Sequence, residues 1–362
     1  MSIELFTPLD LGGTELPNRV MVSPMCQYSC EDRDGMPTDW HRQHLKSRAV
    51  GGAGLVMTEA TAVSPEGRIT PQDLGIWTDD HADALADVAA FVRDQGSVPG
   101  MQLAHAGRKA SAMRPWEGRT PLAPDEGGWE TLSPSGPYPY EDDDPPATRR
   151  MDHTDIARVR KAFADAAERA VGAGFEVVEI HAAHGYLLHE FLSPVSNDRE
   201  DEYGGDFEGR TRLVREVVDA VNARVDDAAL FVRFSATDWL DDRSSWTVED
   251  TARLADDLAG DVDLVDVSAG GLHPAQAVPS TGPGYQVRYA RRVREATDGI
   301  LVGAVGGITA PEQADALLRN GRADLAILGR EHLRDPYFTL HAARELGVPD
   351  AVDVPIQYRR AF

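Results

Sequence analysis

Eight short apolar runs rich in β-branched residues, separated by segments of helical periodicity, constrain this chain more than any other feature. They are VMVSPM (20–25), GLVMTEA (54–60), VPGMQLAHA (98–106), FEVVEIHA (175–182), ALFVRFSA (229–236), DLVDVSAG (263–270), ILVGAVGG (300–307) and ADLAILGR (323–330). Near-continuous apolar character suits parallel strands covered on both faces. Between the runs lie amphipathic helices. In TDIARVRKAFADAAERAVGAG, for example, Ile156, Val159, Phe163, Ala167 and Ala170 share one face and charge occupies the other. Thr247 followed by Asp250 predicts a capping box that opens the helix TVEDTARLADDLAG, which should end at its glycine. Strand and helix repeated eight times predict an α/β fold, a single (β/α)8 TIM barrel, with a doubly wound open sheet as the rival.

One interval breaks the rhythm. Residues 107–153, after the third strand, are rich in Pro, Gly and Trp and include PYPYEDDDPPATRR, a long loop excursion expected over the active face of a barrel. No linker or repeat divides the chain, so residues 1–362 are expected to form one domain.

Composition removes several function classes. Net charge is -24, and only Lys46, Lys109 and Lys161 of the 36 basic residues are lysines. Such a field repels nucleic acid and anionic lipid, which are bound by Lys and Arg neutralising phosphates. Acidic runs such as EDDDPP and DVDLVD read as solvated faces rather than cation sites. An acidic, lysine-poor surface points to adaptation to high salt, where self-repulsion is screened. Cys26 and Cys30 are too few for a disulfide scaffold or a four-thiolate metal site, and are expected as free thiols. No apolar run of about eighteen residues is present, and MSIELFTPLDLGG lacks the features of a signal peptide, so a cytoplasmic location is expected.

The chemistry-bearing residues collect at strand ends. In order they are Pro24, Cys26 and Tyr28; Glu59 and Ala60; Gln102 and His105; His181, His184 and Tyr186; Arg233; Ser268 and Gly270; Gly306 and Gly307; and Gly329 with Arg330. Barrel catalysis occurs at that face because the strand-to-helix loops converge there. Glycines after strands seven and eight suit a phosphate held by backbone N–H groups, with Arg330 as a bidentate partner. His181 and His184 admit three readings: satisfied core residues, zinc ligands, or hydrogen-bond donors to a ligand oxygen that gains negative charge, with Tyr186 as proton donor. The spacing lacks the helical geometry of H-E-x-x-H and no cysteine completes a tetrahedron, so no metal is expected. His189 and Glu190 fall on the following helix and read as structural.

The runs SPMCQYS, GLVMTEATAVSPEGRIT, DLGIW, QLAHAGRKA, EIHAAHGYLLHEFLSPVSNDR, DEYGG, FVRFSA, GAVGGI and NGRADLAILGRE resemble the Old Yellow Enzyme family of flavin ene-reductases, in particular its thermophilic-like branch, which includes the xenobiotic reductases. The resemblance covers essentially the whole chain, in order. It implies tightly bound FMN at the barrel mouth, with Pro24, Cys26, Ala60 and Gln102 against the ring system, Gln102 on its pyrimidine edge, and Arg233 near N1. It assigns the phosphate to Gly306, Gly307, Gly329 and Arg330. It further implies NADPH or NADH as reductant and an activated alkene as substrate, its oxygen bound by His181 and His184 and oriented by Tyr28. Tyr186 would protonate the α-carbon, and Cys26 would touch the substrate and modulate the flavin. The tail QYRRAF resembles one whose arginine, here Arg360, enters a neighbouring subunit's site, which implies a homo-oligomer built on dimers.

Two features depart from the pattern. Ser111 to Met151 is longer than in the shortest members of the branch, and no cysteine cluster or dinucleotide domain follows, unlike the iron–sulfur dienoyl reductases and amine dehydrogenases. Two other functions fit the strand-end pattern: a flavin-free phosphate-binding barrel enzyme, and a flavin-binding stress protein with incidental turnover.

Overall fold

A computed structural model describes residues 3–137 and 148–362. Eight parallel strands close into a barrel: β1 (Val20–Val22), β2 (Leu55–Ala62), β3 (Val98–Ala104), β4 (Val177–Ala182), β5 (Ala229–Ser235), β6 (Leu264–Ser268), β7 (Leu301–Val305) and β8 (Leu325–Leu328). Each expected run supplies one strand, trimmed where the ladder stops. β1, for instance, ends at Val22 because Pro24 has no N–H to continue pairing.

Around the barrel run α1 (Asp39–Val50), α2 (Asp79–Asp94), α3 (His153–Gly172), α4 (Phe207–Asn222), α5 (Val248–Asp257), α6 (Val287–Ala296), α7 (Pro311–Arg319) and α8 (Phe338–Glu345). The predicted face of α3, Ile156, Val159, Phe163, Ala167 and Ala170, is wholly buried. Its N-terminus is capped by Asp152, which accepts from the Asp155 N–H. Thr247 and Asp250 form the expected capping box on α5. That helix stops at Asp257 rather than at Gly260, because the chain turns back there to pair Ala259 with Val262.

Inside the barrel, Met21, Leu55, Met57, Val177, Phe231, Leu264, Leu325 and Ile327 fill the lower levels. A hairpin of Leu9–Leu11 and Thr14–Leu16 closes the base, adding Leu9, Leu11 and Leu16 to that core. The interior is therefore packed below and open only at the mouth.

Two sequence expectations need correction or restriction. The run DVDLVD is not a solvated face throughout: Asp266 is fully buried inside the barrel, because the period of a strand turns it inward with Leu264 and Ser268. The run EDDDPP lies outside the described residues. The described part of the excursion carries short helices and two strands, Thr131–Ser133 and Thr148–Arg150, paired in parallel. Among the described residues no helix is long and apolar enough to cross a membrane.

Candidate active site

The loop after β1 enters the mouth first. Glu59, buried within β2 at its bulge, accepts the Gln27 N–H at 2.9 Å and faces His41 Nε2 at 3.2 Å, which ties the Pro24–Tyr28 segment to α1. β2 can offer both Glu59 and Ala60 there because its register shifts between Met57 and Ala60, a bulge beside the mouth. Burial, reinforced by Asp73 and Glu59, pushes the Cys26 thiol up, so it stays protonated. Both cysteines are free. Tyr28 adopts a left-handed backbone, φ 51°.

The end of β4 brings three rings together. The His181 and His184 centroids lie 5.1 Å apart edge to face, and Tyr186 stands 5.1 Å from His181. Burial first, then the Arg233 guanidinium, lowers both imidazoles well below their ordinary range, so both are neutral. Burial raises the Tyr186 phenol, which keeps its proton. His181 Nδ1 is buried with no hydrogen-bond partner among the described residues, whereas His184 Nε2 meets Ser268 Oγ at 2.7 Å.

His184 is left-handed, φ 60°, which costs a non-glycine residue about 1–2 kcal/mol and needs a brace. Its N–H donates to Ser235 Oγ at 2.9 Å, and Ser235 in turn donates to the Gly270 carbonyl at 2.7 Å. Its carbonyl accepts from Lys109 Nζ at 2.8 Å, and the same ammonium donates to the Gly271 carbonyl. Gly271 must lack a side chain, since a Cβ there would sit 2.7 Å from the His184 Cα. His189 and Glu190 are buried and structural. The His189 ring accepts the Gly185 N–H and faces Asp238, and Glu190 accepts the Arg108 N–H.

Beyond His184, a cavity of about 520 Å³ runs across the ends of β6, β7 and β8. Met25, Ser268, Gly306, Gly307, Gly329 and Arg330 line it together with His184. Gly306 and Gly307 have positive φ, and a Cβ on Gly307 would meet the Gly282 carbonyl at 2.8 Å, so only glycine leaves this floor open. Inside the barrel Arg233 reaches Ser23 Oγ at 3.4 Å, and Gln102 donates to Glu179 at 2.6 Å.

This donor set fits FMN: a glycine floor with an arginine for phosphate, a buried guanidinium for the electron-rich edge of a flavin, and an unpartnered imidazole nitrogen at the ring end. The structure brings His184 and the glycine set with Arg330 around one cavity, His181 into contact with His184 and Tyr186, Cys26, Tyr28 and Tyr186 into one cluster with Ala60 beside Tyr186, and Arg233 into register with His181; Gln102 is joined to Glu179, and Pro24 lies on the loop just before Cys26. Arg360 joins none of these. It is exposed on a tail held against α8 by Phe362 stacking on His341 and Tyr358 packing edgewise on Tyr337. Two contributors escaped the sequence reading: Ser235, whose partners are remote in sequence, and the long loop's Trp116, 5.8 Å edge to face from Tyr28; Lys109, which the resemblance sets near the active-site loop without a role, holds the His184 carbonyl. The acids Glu179 and Asp266 were readable as charges at inward positions of otherwise apolar strands.

Residues 4–348 match the pattern of the NADH:flavin oxidoreductase / NADH oxidase family. A protein named NADPH dehydrogenase from Geobacillus thermodenitrificans (strain NG80-2) is 46% identical over 363 residues, covering 100% of this chain and 99% of that protein. Morphinone reductase, solved in complex with tetrahydroNAD, superposes with a TM-score of 0.75 at 27% identity, covering 97% of this chain and 92% of the other. A 2-naphthoyl-CoA reductase shares the fold, with a TM-score of 0.85 at 23% identity over 96% of this chain, which spans about half (53%) of that larger protein.

Proposed function

Because the chain belongs to the NADH:flavin oxidoreductase / NADH oxidase family, the Old Yellow Enzyme family, and is an oxidoreductase, we propose that it is an FMN-dependent ene-reductase driven by NAD(P)H. FMN, when bound, supplies two-electron transfer from the nicotinamide to the β-carbon of an alkene activated by a carbonyl or nitro group. Gly306, Gly307, Gly329 and Arg330 hold its phosphate, Gln102 and Arg233 meet its pyrimidine edge, and Pro24, Cys26 and Ala60 border its ring.

The observation that carries this reading is the cluster of His181, His184 and Tyr186, three rings in contact and all held neutral. Neutral imidazole donors bind the substrate oxygen and draw charge toward it, which polarises the double bond; donors aimed at a developing oxyanion are worth about 3 kcal/mol each. With Ser268 Oγ as the donor in its 2.7 Å contact to His184 Nε2, the imidazole carries its proton on Nδ1 and offers it to that oxygen. Tyr186 gives its proton to the α-carbon and recovers one from solvent, so each turnover consumes one alkene, one NAD(P)H and one proton. Tyr28 orients the substrate oxygen. Arg360 serves the mouth of a second copy, which makes a dimer the working unit.

The test is anaerobic. Purified protein should be yellow, be bleached by NADPH or NADH, and be reoxidised by 2-cyclohexenone. Replacing His181 and His184 together by Ala should slow that reoxidation by about a hundredfold or more while FMN stays bound. A colourless preparation favours the flavin-free barrel enzyme, and unchanged reoxidation in the double variant removes the assigned role of the two histidines.

A further inference from the structure

Beside and below the His181 ring, the barrel holds a charged layer that substrate binding does not use: Arg233 is in register with His181 and with Asp266, and Glu179 lies one step below His181 on its own strand. Glu179, Arg233 and Asp266 point inward from the adjacent strands β4, β5 and β6, two residues before His181, Ser235 and Ser268 respectively. All three are buried. Arg233 Nε lies 3.1 Å from Asp266 Oδ2, and Gln102 on β3 donates to Glu179 Oε1 at 2.6 Å. The second oxygen of Glu179 and both oxygens of Asp266 receive no hydrogen bond among the described residues. Two carboxylates thus face one guanidinium. If both were ionised, the second oxygen of Glu179 and Asp266 Oδ1 would go without donors and Oδ2 would have only the Arg233 ion pair, in a buried layer of net charge minus one, an arrangement that costs several kcal/mol.

A single proton removes the conflict. Placed on Glu179, it turns two facing acceptors into a donor and an acceptor, and the layer becomes neutral. We propose that Glu179 and Asp266 share one proton inside the barrel, and that this carboxyl–carboxylate pair is a positioning element that sets the net charge Arg233 presents to the cavity above. Gln102, Arg233 and Asp266 face Glu179 from the neighbouring strands; His181 stands above it on its own strand and is neutral. In agreement, burial first and the Asp266 charge second push Glu179 up to about 8, and burial raises Asp266 in the same direction.

Loss of the shared proton at alkaline pH leaves a negative layer beneath the mouth. Resting on the reading that FMN sits there, this charge disfavours the reduced cofactor, which is the more anionic form. The ratio of reduced to oxidised FMN affinity should fall roughly tenfold, given one unit charge at close range in a partly screened interior. Glu179→Gln copies the protonated acid: its carbonyl still accepts from Gln102, and its amide donates to Asp266.

Two measurements separate this proposal from the functional reading. Infrared spectra of the protein without FMN should show, beyond the band of Asp73, which fades near pH 7, a protonated-carboxyl band that persists to about pH 8, fades toward pH 10 and is missing in Glu179→Gln. Asp266→Asn, which leaves Glu179 as the sole ion partner of Arg233, should lack it too and serves if the first variant fails to fold. Absence of the band in the wild-type protein, or its persistence in both variants, overturns the shared proton. With FMN bound, the reduction potential of the wild-type protein should fall more steeply from pH 7 to 10 than that of Glu179→Gln. Parallel slopes overturn the link to the cavity. Failure to bind FMN at all would sink the proposed function, and the infrared result would still decide the proton.

Discussion

His184 shows what a residue-type reading can and cannot find. A histidine at a strand end is visible in the sequence, and its pairing with His181 and Tyr186 follows from close spacing. Its left-handed backbone is not visible, because the brace arrives from Ser235, 51 positions away, and from Lys109, 75 positions away. Ser235→Ala would leave the His184 N–H and the Gly270 carbonyl without their partner in a buried place. That should cost about 1–3 kcal/mol in urea unfolding. More tellingly, reoxidation by cyclohexenone should slow at least about tenfold with FMN retained, because the imidazole loses its angle rather than its chemistry. Equal reoxidation rates would mean that the brace serves stability alone. The buried acids illustrate the opposite failure. Glu179 and Asp266 were in plain view as charges within apolar strands, but treating DVDLVD as a surface run hid the second of them.

At the scale of elements, the eight strands were legible because each is covered on both faces and therefore reads as a continuous apolar run. The inner face of α3 and the cap of α5 were legible because their signals are local. The bulge in β2 was not, since it depends on how Glu59 is anchored to the first loop and to α1. The long excursion after β3 was recognisable only as a break in rhythm. Its described part reaches the mouth: Trp129 donates to the Glu66 carbonyl and packs in the cluster that holds Cys26, Tyr28 and Tyr186, while Trp116 meets Tyr28. Arg114 fixes Trp116 from behind, lying over its ring at 5.4 Å and pairing with Glu31 and Glu117. We infer that this ring is a wall of the entrance. Trp116→Ala should raise KM for cyclohexenone several-fold, leave kcat within about twofold, and shift stability by less than about 0.5 kcal/mol, as the ring is largely exposed. A fall in kcat at constant KM would place Trp116 in the chemistry instead.

For the whole molecule, the sequence predicts a salt response and the structure adds a pH response that salt can isolate. Of the charged groups, 60 are acidic and 36 basic. Arginine pairs such as Arg292 with Glu249 and Arg253 with Glu208 lie at the surface, where each is worth about 0–1 kcal/mol and is itself screened. The unpaired excess of acid is the larger effect, so thermal stability should rise from low to molar KCl. A flat or falling Tm would remove the high-salt adaptation. With the surface screened at molar KCl, the remaining pH dependence belongs to the buried groups. Burial lowers His44 to about 3 and His105 and His332 to about 4, and takes His181 and His184 well below their usual range. Unfolded, all five bind a proton below about pH 6.5, so the unfolded state gains protons and stability falls as pH drops. Burial raises Asp73 to about 7 and Glu179 to about 8. These two keep a proton in the folded state that the unfolded state has lost above about pH 4, so they lower stability as pH rises, until they too ionise. The two slopes cancel at roughly pH 6.5–7, where Tm should peak. In Glu179→Gln the alkaline limb should flatten while the acid limb, owned by the histidines, stays as it was. If both limbs persist unchanged in that variant, the buried carboxyl pair does not govern the alkaline side.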